Sequence, residues 1–272
     1  MKNVIAYCLL ALFATRSGYA AGERTPAGGR AMAMGGTSVA VTDSWSLANN
    51  QAGAAWIKAA SAGLSFENRF LIRELMLEQL GFSLPLKAGT FGLLLNRFGN
   101  DQYNELKAGL IYARKFGSHF SVGVQLDYLR IHVGNDYGSK NLFSCEIGLS
   151  FQAGEHIGIG VQILNPVPVN ITVNPSESLP SIICIGLSYR FSDDFLTAVE
   201  AEKDLSNPLT FRAGAEYHFA RPAFARIGIS TGPTAFTFGF GLEFGRISFD
   251  IASGYHQYLG FSPSGSLTYS FR

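Results

Sequence analysis

The chain has 272 residues, of which 47% are apolar and 15% charged, with a formal net charge of +1. That balance excludes a disordered chain, which lacks apolar surface to bury, and a nucleic-acid binder, which needs a basic excess. The 31 glycines, 22 phenylalanines and 11 tyrosines favour strands and turns over helix surfaces. In chain order, the first element is an export signal. Lys2 supplies a basic start, Val4 to Ala14 an apolar run, and Gly18 and Ala20 the small residues at −3 and −1 for cleavage after Ala20. Residues 1–20 therefore read as a signal peptide. The apolar run is too short to span a bilayer comfortably. Cys8 lies within it, after the bulky Tyr7, and is no lipidation cysteine.

Residues 21–60 show no regular period. Their centre, GRAMAMGGTSVAVTDSWSLANNQAGAAW from Gly29 to Trp56, is rich in small residues and nearly free of charge. From about residue 61 the pattern changes to segments of about ten residues with two-residue alternation, the length of a tilted strand that crosses a bilayer. Phe120, Val122, Val124, Leu126 and Tyr128 alternate with Ser121, Gly123, Gln125 and Asp127. The spacing predicts about 14 strands, near 62–70, 76–86, 90–98, 105–116, 119–133, 141–152, 156–165, 181–191, 195–203, 209–219, 223–231, 235–244, 246–255 and 264–272. A soluble sandwich also alternates, but so many glycines and charges opposite the apolar face favour a polar lumen. The predicted fold is an all-β transmembrane antiparallel barrel, residues 61–272, in a bacterial outer membrane.

Two features support closure. Connections after even strands are tight, as at Gly117-Ser118 and Arg221-Pro222, whereas those after odd strands are mostly longer, as at Pro166 to Pro180 and Gln257 to Pro263. A barrel with short periplasmic turns shows this parity. Phe116, Phe151, Phe191, Phe219, Phe244 and Phe271 end six even strands, as an inner aromatic girdle would. Tyr269 and Phe271 share a face at the C-terminus, resembling the terminal signal read by outer-membrane assembly machinery.

By phase, Glu67, Arg69, Asp127, Glu146, Arg190, Glu200, Glu202, Arg212, Glu216, Arg226, Glu243 and Asp250 face inward. Mixed signs suit a paired luminal network, or else a solvated wall. Inside such a lumen, residues 21–60 are expected to form a plug, because small residues let backbone approach backbone and Asn49 and Asn50 can bond to the wall. Arg97 and Arg130 fall on the outward phase near outer strand ends, placed to meet lipid or lipopolysaccharide phosphates or to snorkel. In the loop Pro166 to Pro180, Val167, Val169, Ile171 and Val173 form an apolar set suited to a mouth cap, a greasy ligand or a partner. Enzyme chemistry finds no foothold: five histidines are dispersed without metal-ligand spacing, and GIGVQ at Gly158 lies in a strand. No metal or cofactor is expected.

Residues Arg30, Ala31, Ala33, Met34, Gly35, Gly36, Val39, Ala40, Asp43, Asn50, Ala52 and Gly53 resemble the N-terminal motif of FadL-like outer-membrane barrels, particularly the PorV/PorQ branch of Bacteroidetes. Gln51 stands where that motif has proline. The resemblance implies a 14-stranded barrel with a luminal plug in which Arg30, Met34, Gly35, Gly36, Asp43, Asn49, Asn50 and Gln51 form the gate. Two functions follow from it: passive passage of small hydrophobic molecules, or a non-transporting accessory barrel serving a secretion-system or assembly partner.

Overall fold

A computed structural model describes residues 22–134, 138–171, 178–205 and 207–271. Fourteen strands form one closed antiparallel barrel: β1 Ala60–Asn68, β2 Met76–Leu86, β3 Gly89–Gly99, β4 Tyr103–Phe116, β5 Phe120–Val133, β6 Gly138–Ala153, β7 Ile157–Leu164, β8 Ile182–Ser192, β9 Phe195–Asp204, β10 Thr210–Ala220, β11 Ala223–Thr231, β12 Thr234–Phe244, β13 Ile247–His256 and β14 Gly260–Phe271. Each strand pairs with its chain neighbours, and β1 closes on β14 from Ala60 opposite Phe271 to Glu67 opposite Ser264. The end carrying the start of β1 and the close of β14 is called the inner end below.

The alternation places side chains in the reverse of a soluble fold. On β5, Gln125 is 0% exposed and the adjacent Leu126 65% exposed. The same inversion puts Leu110, Phe143 and Ile227 outside. An apolar face turned outward around a closed sheet, with every strand edge paired, is the arrangement a bilayer requires. Phe116, Phe151, Phe191, Phe219, Phe244 and Phe271 all stand exposed at inner ends, and Tyr189–Phe191 and Tyr269–Phe271 make edge contacts there.

Two strand ends depart from the sequence expectation for a clear physical reason. β1 stops at Asn68, because Phe70 and Leu71 take φ of 58°, a left-handed backbone that ends a strand. Arg69 is thus in a turn rather than on the wall strand. β14 begins at Gly260, so the connection from Gln257 is a tight turn and Pro263 lies inside a strand. Residues 260–263 extend past β1 and pair only with β13, an edge stretch where a missing N–H is tolerated. Among the described residues the register slips at Arg190/Ser192 and His218/Ala220, both near inner ends.

Residues 22–57 run through the lumen. They form α1 (Gly29–Ala33), α2 (Ser46–Asn49) and a 3₁₀ turn (Gln51–Trp56), with Met34, Leu47, Asn50 and Gln51 fully buried. Gly22 lies at the outer end, against Leu179, while Trp56 donates to Ser121 Oγ (2.9 Å) near the inner end. The expected signal peptide, residues 1–20, lies outside the described residues.

Candidate functional site

Three polar anchors tie this luminal segment to the wall. The first is built on β9. Arg24 Nη1 lies 2.6 Å from Glu200 Oε1 and 3.0 Å from Glu202 Oε2, with Nε donating to Gln162 and Nη2 to Ser38. Glu200 Oε2 also accepts the N–H groups of Ser38 and Val39, and Arg212 pairs with Glu202 at 2.6 Å. In the second, Arg30 forks onto both oxygens of Glu216 (2.6 and 2.8 Å) and reaches Asp43 at 3.4 Å; Glu216 continues to Arg226 and Arg226 to Asp250. Burial disfavours the charged forms of Arg24 and Arg30, but the acidic groups around them outweigh it and hold both above the ordinary arginine range.

The third anchor is Gln51, whose Nε2 donates to Gln125 Oε1 (3.1 Å) and Glu146 Oε2 (2.5 Å); Lys107 binds the same carboxylate and Asp127. The residue that departs from the family motif thus takes part in the luminal network. Asn50, at φ −164° and ψ 106°, has the extended backbone that a following proline needs. Gln51→Pro is therefore expected to keep the chain path but remove a donor from buried Glu146. The cost should be about 1–3 kcal/mol, read as a lower thermal midpoint in detergent.

Backbone contact does the rest. Gly35 and Gly36, at φ of 73° and 82°, turn the segment against β10 and β11. On the wall, a Cβ at Gly123, Gly148, Gly160 or Gly228 would overlap Gln51, Asn50, Val39 or Gly35. Asn49 exchanges bonds with the Ala27 backbone, and Asn50 Nδ2 donates to Val39 O and to Leu149 O of the wall.

At the outer end a cavity of about 280 Å³ remains. Phe70, Leu75, Leu77, Phe98, Leu129 and Ile131 line it on the wall side and Gly22, Glu23 and Thr25 on the segment side. Its polar groups are mostly engaged: Tyr103 OH and the Gly22 N–H both donate to Glu105 (2.6 and 3.1 Å), and Arg69 binds Glu67 and stacks on Phe98. The loop after β7 folds back beside it. Asn165, at φ 49°, donates to Leu179 O, and Val169 and Ile171 pack on Leu129, Ile131, Leu142 and Leu179.

Most of the expected network is thereby brought together, with two corrections. Arg190 sits at the inner rim beside the β8–β9 register slip, and Glu243 at the inner end of β12; both are exposed, because phase gives a face but not a depth. In the loop, Val167 is 65% exposed and points away from the cluster, and Val173 lies outside the described residues. Arg24, Lys107 and Glu105 were missed as site residues. Lys107 and Glu105 share the inward phase of β4 and could have been read from it; Arg24 had no periodic context. Among the described residues, Cys184, Glu200 and Glu202 offer metal-ligand atoms close together, but the Arg24 guanidinium already occupies the cation position between the carboxylates.

A closed barrel with an outward apolar belt and an occupied lumen defines an outer-membrane type of β-barrel. No protein-family model matches the chain, and no curated protein matches it in sequence. Solved structures do match in fold. The CymD monoaromatic hydrocarbon channel aligns with a TM-score of 0.69 at 13% identity, over 93% of this chain and 99% of that one. A Pseudomonas aeruginosa FadL homologue gives 0.72 at 12%, over 93% and 100%. The P. putida toluene transporter TodX gives 0.69 at 12%, over 92% and 100%. The chain shares the fold of these channels.

Proposed function

We propose that the chain is a FadL/PorV-like outer-membrane barrel, not an enzyme. In this reading it admits small hydrophobic molecules to the outer cavity, and residues 22–57 are a plug between that cavity and the periplasm. The cavity carries the reading. Its 280 Å³ is nearly twice the roughly 150 Å³ of an apolar cavity that binds benzene. Arg69 pairs with Glu67 and Lys107 with Asp127, and Glu105 accepts from Tyr103 and Gly22, which favours a neutral ligand of about one ring, the class named for the CymD and TodX channels. Val169 and Ile171 shield the cavity wall from outside. The division into leader, plug and barrel follows, with Tyr269 and Phe271 at the inner end of β14 available to assembly machinery.

The test is binding of a fluorinated monoaromatic hydrocarbon to the protein in detergent, followed by fluorine NMR. Wild type is expected to show one saturable site, and Leu129→Trp, which fills the cavity, to weaken it at least tenfold. Absence of saturable binding by wild type would refute the reading.

The tight contact between plug and wall favours a second reading, a PorV/PorQ-type accessory barrel that anchors or shuttles a secretion-system or assembly partner. Flux of a labelled hydrophobic solute into liposomes no higher than in empty vesicles, even after deletion of 21–56, together with a stoichiometric partner on purification from the native membrane, would select it.

A further inference from the structure

The outward face of β1–β6 departs from its apolar pattern along one row of paired residues. Strand register aligns Phe66, Glu78, Arg97, Leu106, Arg130 and Asn141 in a single row across six strands. The row stands near the outer ends of these strands, and its side chains belong to the lipid-facing phase. Arg97 and Arg130 are separated by one intervening strand, so their backbones lie roughly 10 Å apart at ordinary strand spacing. Glu78 approaches Arg97 at 3.5 Å, with both side chains about half exposed, and Arg130 donates to Ser139 Oγ at 3.3 Å. One exposed carboxylate cannot neutralise two guanidiniums, so the row keeps a positive charge.

Directly below, the next outward row reads Leu64, Leu80, Leu95, Ala108, Tyr128 and Phe143. Ala108 is the one small residue among five bulky ones. A groove of about 620 Å³ opens over it, bounded by Leu64, Leu80, Leu95, Leu106, Tyr128 and Arg97. Tyr128, whose OH donates to Asn141 at 3.1 Å, fixes one side.

We propose that this groove is a specific lipid site: an acyl chain of an outer-leaflet glycolipid lies over Ala108, and a phosphate of its headgroup is held by Arg97 and Arg130. The inference rests on the outer-membrane reading above, which puts this end of the barrel in the outer leaflet. Guanidinium forks match phosphate oxygens in pairs, and the small residue beneath them supplies the volume that a chain needs. A second copy of the protein is a poor occupant, since a two-fold contact would bring two positive rows together. An inner-leaflet phospholipid would be at the wrong end.

The experiment uses the full chain in detergent, titrated with lipopolysaccharide, its dephosphorylated form, phosphatidylglycerol and inorganic phosphate, with bound lipid read by native mass spectrometry. Wild type is expected to hold one lipopolysaccharide at least tenfold more tightly than the other three. Ala108→Leu, which fills the groove and keeps both arginines, and Arg97→Gln with Arg130→Gln should each lose at least tenfold. Ala213→Leu, on the outward face of β10, should lose nothing. Equal retention by all variants, equal binding of the dephosphorylated lipid or of phosphatidylglycerol, or full competition by inorganic phosphate would each overturn the proposal. Heat-modifiable gel mobility reports that each variant is a folded barrel. Carbonate extraction of native membranes tests the outer-membrane reading separately, so that its failure is not confused with failure of the lipid site.

Discussion

Arg24→Ala is expected to release residues 22–57, the plug of the proposed function, while the barrel stays closed. The Arg24 side chain is 3% exposed and bonds four wall and plug groups at once: Glu200, Glu202, Gln162 and Ser38. Without it, Glu200 keeps only a longer contact to Arg212 (3.4 Å) and the N–H groups of Ser38 and Val39, which belong to the segment being released. Breaking a buried ion pair from one side costs about 3–5 kcal/mol, a large share of the roughly 5–15 kcal/mol that holds a whole domain. None of the strand ladders uses Arg24, so the wall keeps its own stability. In planar bilayers wild type should be nearly silent and Arg24→Ala should open in discrete steps. Limited proteolysis should cut the variant within 22–57 and leave the barrel band resistant to heat. Arg24→Lys, which keeps the charge but loses the fork, should fall between the two. A variant as silent and as protease-resistant as wild type would show that this anchor does not hold the plug.

What the chain reveals by itself follows the range of each interaction. Two-residue alternation is local, so the strands, their inward faces and the girdle phenylalanines were legible, and closure followed from turn parity. Ends were harder. Nothing in Asn68-Arg69-Phe70 announces a left-handed backbone, and Pro263 argues for a loop until β14 is seen to outrun β1. Depth was not legible either: Arg190 and Glu243 have the right phase but stand at the rim. The anchors join residues far apart in sequence, as Arg24 is 176 positions from Glu200, and no spacing rule reaches that distance. Gln51 is the instructive case. It stands where the resembled motif has proline, yet its side chain meets Glu146, a carboxylate that the wall buries there.

The wall glycines give the second large effect, by a different route. Gly→Ala in a strand is ordinarily neutral or favourable, since alanine loses less chain entropy on folding. At Gly160 the added methyl would overlap Val39 O, and at Gly228 it would overlap the Gly35 backbone, neither of which is a flexible side chain that can swing away. Gly160→Ala and Gly228→Ala should therefore destabilise plug seating by about 1–3 kcal/mol, the usual penalty for overfilling a packed contact. Gly254 is the internal control: it also faces the lumen, but the nearest atoms to a new Cβ are 3.8 and 3.9 Å away, so Gly254→Ala should leave both conductance and thermal midpoint unchanged. If Arg24 and Gly160 both act on plug seating, their effects must couple. Once Arg24→Ala has freed the segment, Val39 no longer presses on β7, and Gly160→Ala should add little further current. Strictly additive effects in the double variant would mean that the two sites hold separate parts of the segment, and that the plug leaves the lumen in pieces rather than as one body.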